Sequence, residues 1–211
     1  SDLEHRDEYP EQLVATMVEM GLFGTTIPEE YGGLGLGLDT YALIVAELSR
    51  GWVTLSGILN GTFIAAWMIR IHGTEEQRER FLPRLASCEI RAAFSMTEPH
   101  AGSDVQAIRT VAERHGDDYV VSGQKMWVTN GWRSGIVMLL AKTDPAAGHM
   151  GISIFLVPTN LKGFSVSKKL KKMGNLASDT AELFYDDVRI PQRYLLGQEG
   201  QGFIYLMQNF Q

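Results

Sequence analysis

Phe81-Leu-Pro-Arg-Leu-Ala-Ser-Cys-Glu-Ile-Arg91-Ala-Ala-Phe-Ser-Met96 is where the hydrophobic period of this sequence changes. Before it, apolar residues recur every three or four positions, as a helix buried on one side requires. After Arg91 they come in short runs rich in Val, Ile, Phe and Tyr, separated by turn compositions, as strands require. The reading is an α+β chain with a helical half followed by a β half.

Working back from Arg91, Thr74 and Gln77 form a capping-box pair ahead of Phe81, Leu82 and Leu85. Leu55, Ile58, Leu59, Thr62, Phe63 and Ala66 make one stripe closed by Gly73, and Tyr41, Ile44, Val45 and Leu48 make another that ends near Gly51. Pro10 starts a helix with Leu13, Met17 and Met20 on one face up to Gly21, and a loop, GTTIPEEYGGLGLG, follows it. Four helices are expected.

Working forward, strands are expected at 92–96, 108–115, 119–122, 136–142, 152–157, 164–170 and 181–185. No helix of ten or more residues intervenes to carry a parallel crossover, so the expectation is an antiparallel sandwich or barrel. A last stripe, Phe203, Leu206, Met207 and Phe210, reaches Gln211 without a stop signal, which reads as the opening of a further, incomplete helical domain. Domains are expected at 1–90 (helical), 91–197 (β) and 198–211 (the first turns of that last unit).

The 211 residues are 45% hydrophobic and 21% charged, which describes a globular chain. Lys and Arg number 19 against 25 Asp and Glu, and the net charge of −6 argues against a nucleic-acid surface. A single cysteine, Cys88, excludes an intrachain disulfide and fits a reducing compartment. No run approaches the roughly 18 to 20 continuous apolar residues of a membrane helix, so no membrane insertion is expected. The acidic start (Asp2, Glu4, Asp7, Glu8) is the reverse of a targeting segment, and the absence of an initial Met suggests a trimmed start. The five His residues are scattered, and no zinc, Walker or nucleophile-elbow motif occurs; no metal site is expected.

Two segments carry chemistry. In Phe94-Ser-Met-Thr-Glu-Pro-His-Ala-Gly-Ser-Asp104 a strand gives way to a loop holding Thr97, Gly102 and Ser103, whose hydroxyls and exposed N–H groups suit a ring edge or a phosphate. The plainer alternative is a turn that only connects strands. In Gly123-Gln-Lys-Met-Trp-Val-Thr-Asn-Gly131, Trp127 can stack on a planar ring while Thr129 offers a hydroxyl to its edge, unless Trp127 is simply core. Lys162, Lys168, Lys169, Lys171 and Lys172 form the one concentrated basic patch, either a solvated face or a site for a negatively charged ligand tail or partner.

FSMTEPHAGSD, GQKMWVTNG, IPEEYGGLG and MGNLASDTAELFYDDVRIPQRYLLGQEGQGF together resemble the acyl-CoA dehydrogenase family, in order and over essentially the whole chain. The resemblance implies a helical domain, a middle β domain and a C-terminal four-helix domain, of which this sequence holds the first two and the start of the third. It implies an FAD cofactor contacted by Phe94, Met96, Thr97, Gly102 and Ser103 and by Trp127, Val128 and Thr129. Ser103 would also meet the acyl-CoA substrate at its thioester and pantetheine. The implied reaction is α,β-dehydrogenation of the thioester to a trans-2-enoyl-CoA, with hydride passing to flavin N5 and an electron-transferring flavoprotein as acceptor. A homotetramer or dimer is implied, cytoplasmic in a bacterium or in the mitochondrial matrix of a eukaryote.

The implied catalytic Glu falls beyond Gln211 in either of the family's two alternative positions. Glu98 precedes Pro99, which biases it to extended backbone, and Asp104 reads as loop support, so neither is taken as a substitute. His100 and Leu176 depart from the residues common in the family, at a loop edge and at a place often held by a basic residue. Rival readings are a flavin-dependent monooxygenase or nitroalkane-oxidising relative, and a noncatalytic subunit sharing an FAD site.

Overall fold

Pro10 stands just ahead of the first long helix, where its missing N–H costs nothing. The computed structural model describes residues 2–209, so the expected burial of Phe210 lies outside the described residues. A short helix, α1 (Asp2–His5), is followed by α2 (Glu11–Glu19). α2 buries Val14 and Met17, whereas Leu13 and Met20, expected on the same face, are 42% and 62% exposed. The chain then reverses at Gly21 (φ 71°) and passes through two 3₁₀ turns. Gly33 is required there, because a Cβ would stand 2.6 Å from the Ile27 carbonyl carbon.

The two middle helices of the sequence reading are the arms of one 35-residue helix, α3 (Leu38–His72). Its break falls at Trp52 (φ −164°, ψ 107°), next to the glycine where an end was expected. The second arm buries Leu55, Ile58, Leu59, Thr62 and Ala66; on the first arm Ile44, Val45 and Leu48 are only half-buried. By length and composition α3 is apolar enough to cross a membrane, although its apolar residues are not continuous; 56% of its most apolar stretch is buried within the fold. α4 (Glu75–Ala86) begins with the expected capping box, both reciprocal bonds being present. The Gln77 side chain also donates to the carbonyls of Arg193 and Leu195, tying the helical half to the far end of the chain.

Eight strands follow: β1 (Ala92–Ser95), β2 (Val111–His115), β3 (Asp118–Thr129), β4 (Ile136–Lys142), β5 (Ile152–Pro158), β6 (Phe164–Lys169), β7 (Thr180–Pro191) and β8 (Leu195–Leu196). The order is β6-β7-β3-β2-β4-β5-β8, with β1 on β4. The sheet is sandwich-like, not a closed barrel, and it is mixed where an antiparallel one was expected. β1 runs parallel to β4 from Ala92↔Ile136 to Ser95↔Leu139, and β2 makes one parallel pair with β4. The crossover between β1 and β4 is made by the β2–β3 hairpin, so the absence of a helix did not exclude a parallel pair. Gly123-Gln124, read as a turn, lies inside β3, where a Cβ on Gly123 would come 2.7 Å from that of Thr110. β7 likewise continues beyond Tyr185 to Pro191.

β4 contains the continuous apolar run 136–141 and β5 the run 152–157, apolar but for Ser153, and every residue of them is buried, as strands covered on both faces require. The last helix, α5 (Gly202–Asn209), buries Leu206 and approaches β5 so closely that a Cβ on Gly202 would stand 2.8 Å from the Ser153 carbonyl carbon. The second arm of α3 lies directly on β1. Gly61 allows it, since a Cβ would stand 2.7 Å from the Ala92 carbonyl oxygen. The buried Asn130 then clamps the end of β3 to that helix by donating to the Ile58 carbonyl at 2.9 Å.

Candidate functional site

β1 ends at Ser95 and the first chemical segment leaves the sheet through Met96 and Thr97. Glu98 and Ala101 close a tight turn by exchanging main-chain bonds of 2.8 and 3.1 Å. Beneath it the Glu98 carboxylate is buried, accepts the main-chain N–H groups of Arg109 (2.6 Å) and Thr110 (3.0 Å), and meets Lys125 Nζ at 2.9 Å. Lys125 is itself 0% exposed and also donates to the Met96 carbonyl at 2.9 Å. The Met126 N–H donates to the Thr97 carbonyl, so the two segments that carried the chemistry lie side by side.

Burial alone would push the Glu98 carboxyl upward, but the Lys125 ammonium and the donors from Thr110 and Arg109 outweigh it and hold the pKa low. Burial is the larger effect on Lys125, whose pKa falls to about 8 although Glu98 opposes the shift. Glu98 is therefore held as a buried anion by Lys125 and two main-chain donors. Asp104 fills the expected supporting role by accepting from the Gln106 N–H at 3.1 Å. His100 Nε2 stands 3.4 Å from Glu98 on the exposed side, and the Leu176 N–H donates to Glu4 at 2.7 Å.

On β3 the register slips between Lys125 and Val128. At this bulge Trp127 adopts φ 60°, a left-handed conformation that costs a non-glycine residue roughly 1–2 kcal/mol. The consequence is a Trp that is 55% exposed, with Val128 taking the core position instead. Trp127 is not a core residue.

Two adjoining hollows share Gly57, Trp127 and Thr129. One, of about 230 Å³, is completed by Asn60, Gly61, Ile64 and Phe94. The other, of about 270 Å³, is completed by Thr54, Lys172, Asn175, Ser178 and Thr180, among others. Phe94, Trp127 and Thr129 are thus brought together, while the carbonyls of Met96 and Thr97 accept from Lys125 Nζ and from the Met126 N–H of β3. Val128 is buried, leaving only its main chain for a ligand, and Gly102 and Ser103 are exposed on the loop beyond. Larger hollows beside Cys88, Arg91 and Ser134 (about 380 Å³) and beside Thr74 and Arg193 (about 520 Å³) contain none of the predicted residues.

The basic patch does not persist as one charged face. Lys168 approaches Glu182 at 3.9 Å and Lys169 pairs with Asp7 at 2.7 Å. Lys172 turns inward to Ser178 and Thr180. The sequence reading named this lysine only as a member of the basic patch, and it missed the Glu98–Lys125 pair, Asn130 and the α3 wall of Gly57, Gly61 and Ile64. A signal existed for Lys125: Tyr119, Val121 and Lys125 share one parity along β3, which places the lysine with the core.

Residues 93–188 match the acyl-CoA dehydrogenase middle domain, and residues 1–89 match the acyl-CoA dehydrogenase N-terminal domain. The chain is 40% identical over 208 residues to the acyl-CoA dehydrogenase of Bacillus subtilis (strain 168), covering 98% of this chain and 55% of that one. Against the mitochondrial long-chain specific acyl-CoA dehydrogenase of Rattus norvegicus the identity is 43% over 208 residues, covering 97% and 48%. The crystal structure of an acyl-CoA dehydrogenase complexed with FAD from Bacillus anthracis superposes with a TM-score of 0.87 at 36% identity, covering 94% of this chain and 34% of that one. The chain spans about half the length of the curated relatives it matches. With both domain families matched in sequence order, the chain belongs to the acyl-CoA dehydrogenase family.

Proposed function

We propose that this chain is the helical and β portion of an FAD-dependent acyl-CoA dehydrogenase that converts an acyl-CoA thioester to the trans-2-enoyl-CoA. The observation that carries the reading is Trp127, turned out of the core by a left-handed backbone at the bulge and lining an open hollow together with Thr129. A half-exposed indole next to a hydroxyl and an open hollow fits a flat heteroaromatic ring that needs an apolar wall and a polar edge. The residues present therefore fit FAD, which when bound supplies the hydride acceptor. Phe94, Met96, Thr97, Gly102, Ser103, Trp127, Val128 and Thr129 are assigned to it, and Ser103 also to the substrate.

Each group has a physical task. Trp127 excludes water from one side of the ring, and Thr129 fixes its orientation through a directional bond. The Val128 main chain is held rigid because its side chain is anchored in the core. Across the hollow, Gly57, Gly61 and Ile64 of α3 leave space for an acyl chain against an apolar wall. Glu98 is committed to Lys125, so the base that removes the α proton is assigned outside these residues. The division into domains 1–90, 91–197 and 198–211 belongs to the same reading and is supported by the extents of the two family matches. So do an electron-transferring flavoprotein as acceptor, a homotetramer or dimer, and a bacterial cytoplasmic or mitochondrial matrix location.

The test is anaerobic mixing of the FAD-loaded protein containing this chain with acyl-CoAs, following flavin bleaching and enoyl-CoA. Trp127→Ala is expected to weaken FAD retention or slow bleaching. Unchanged cofactor occupancy and an unchanged reductive half-reaction in that variant would sink the assignment of the Trp127 ledge.

A further inference from the structure

The hollow against Trp127 and Thr129 contains a cation to which the proposed reaction assigns no task. Lys172 lines it, half-buried, and all three of its N–H donors are engaged by the chain itself. They go to the Ser178 carbonyl at 2.7 Å, the Ser178 hydroxyl at 3.3 Å and the Thr180 hydroxyl at 2.8 Å. An ammonium so bound has no free donor to offer a ligand and a single orientation, so it acts on the hollow through its field. Its position is set by the sheet. Thr180 is the cross-strand partner of Thr129 in the β3–β7 ladder, so the charge stands one hydroxyl away from the strand position beside the Trp127 ledge.

The surrounding charges are already committed. Lys169 is paired with Asp7 at 2.7 Å, and Glu4 accepts from the main chain at Leu176 and Ala177 and from Thr54. Asp179 is buried, its carboxyl pushed upward by that burial, and Arg133 approaches it at 3.7 Å. Burial and the neighbouring Lys169 lower the Lys172 pKa, which is the cost of holding this charge here; a solvated lysine would not incur it.

We infer that Lys172 is a positioning residue that raises the reduction potential of the ring bound at the Trp127–Thr129 ledge, by placing a fixed positive charge at its edge. The inference rests on the FAD reading and deepens it. On that reading, reduction of the ring by hydride would add two electrons and one negative charge beside Lys172. A fixed cation beside the ring favours the reduced side of that balance without giving up a proton.

The experiment compares the FAD-loaded protein with its Lys172→Met and Lys172→Arg variants in three measurements: flavin content, midpoint potential against a reference dye, and affinity for sulfite, whose adduct with an oxidised flavin is anionic. Lys172→Met is expected to keep its flavin, shift the midpoint to a more negative potential and weaken sulfite binding by about tenfold. Lys172→Arg, which keeps the charge, is expected to restore both. A Lys172→Met protein that retains flavin with unchanged potential and sulfite affinity overturns the inference. So does one that loses flavin while Lys172→Arg keeps it with an altered potential, because the lysine would then be a strut. A parent protein that binds no FAD removes the FAD reading itself, and the inference with it.

Discussion

Lys125 and Trp127 are two residues apart on β3 and have opposite surroundings. Lys125 is fully buried, and its ammonium reaches the Glu98 carboxylate and the Met96 carbonyl. Trp127 is more than half exposed, on backbone that most residues avoid. The bulge between them separates the two roles. Below it the chain commits charge to holding main chain in place; above it the chain accepts strain to present a side chain outward. On the proposed reading, a residue of the ring site and a residue of the fold's fastening are therefore neighbours in sequence and should respond very differently to substitution.

The sharpest way to break this contrast is Lys125→Met. It leaves Glu98 buried without its counter-charge and is expected to cost about 3–5 kcal/mol of folding stability, measured by denaturant unfolding. A loss below about 1 kcal/mol would mean that Glu98 finds another partner and that the pair is not the fastener described. Asn130→Ala comes next, at about 1–3 kcal/mol, since it removes the clamp on Ile58 and leaves at φ 63° a residue without the amide that makes Asn tolerable there.

The pH dependence sharpens the contrast further. Because the folded Glu98 carboxyl lies below its ordinary range, its contribution to stability is present above that range and is lost as pH falls through the folded value. Lys125, lowered to about 8, holds its proton more weakly folded than unfolded, so its own contribution improves as pH rises from there toward the ordinary lysine value. Unfolding followed across both ranges should show an acid limb that Glu98→Gln flattens; an identical limb in that variant would assign the acid loss elsewhere. Trp127→Ala closes the series with the smallest effect on folding, within about 0.5 kcal/mol. Its FAD retention should nonetheless fall by about tenfold, from the loss of the stacking wall. A large loss of stability here would return Trp127 to the core.

Much of this was legible in the sequence, and the errors have physical causes. The capping box at Thr74 and Gln77 and the apolar runs of β4 and β5 are local signals, and they form where they were expected. The single helix α3 was read as two because Gly51 suggests an end, whereas only Trp52 departs from helical angles. The stripe on α2 was misplaced because Val14, not Leu13, turns inward with Met17. Pairing between distant segments leaves no local trace, so the parallel β1–β4 register could not be read from the segments alone. Lys172 was grouped with its neighbours in one basic patch, either solvated or facing a negatively charged ligand, because its partners Ser178 and Thr180 come later in the chain and meet it only across a folded loop.

The β3–β7 ladder also determines when the ledge can exist. Thr129 pairs with Thr180 and Asp118 with Pro191, so the Trp127 bulge has no partner strand until residues 180–191 have been synthesised and have closed a long loop back onto β3. Pairings of such sequence separation form slowly compared with helices. On a ribosome, α2 through α4 can fold first and wait as a platform. A nascent chain arrested before Thr180 should therefore have its helical half in place and no surface on which a ring could stack.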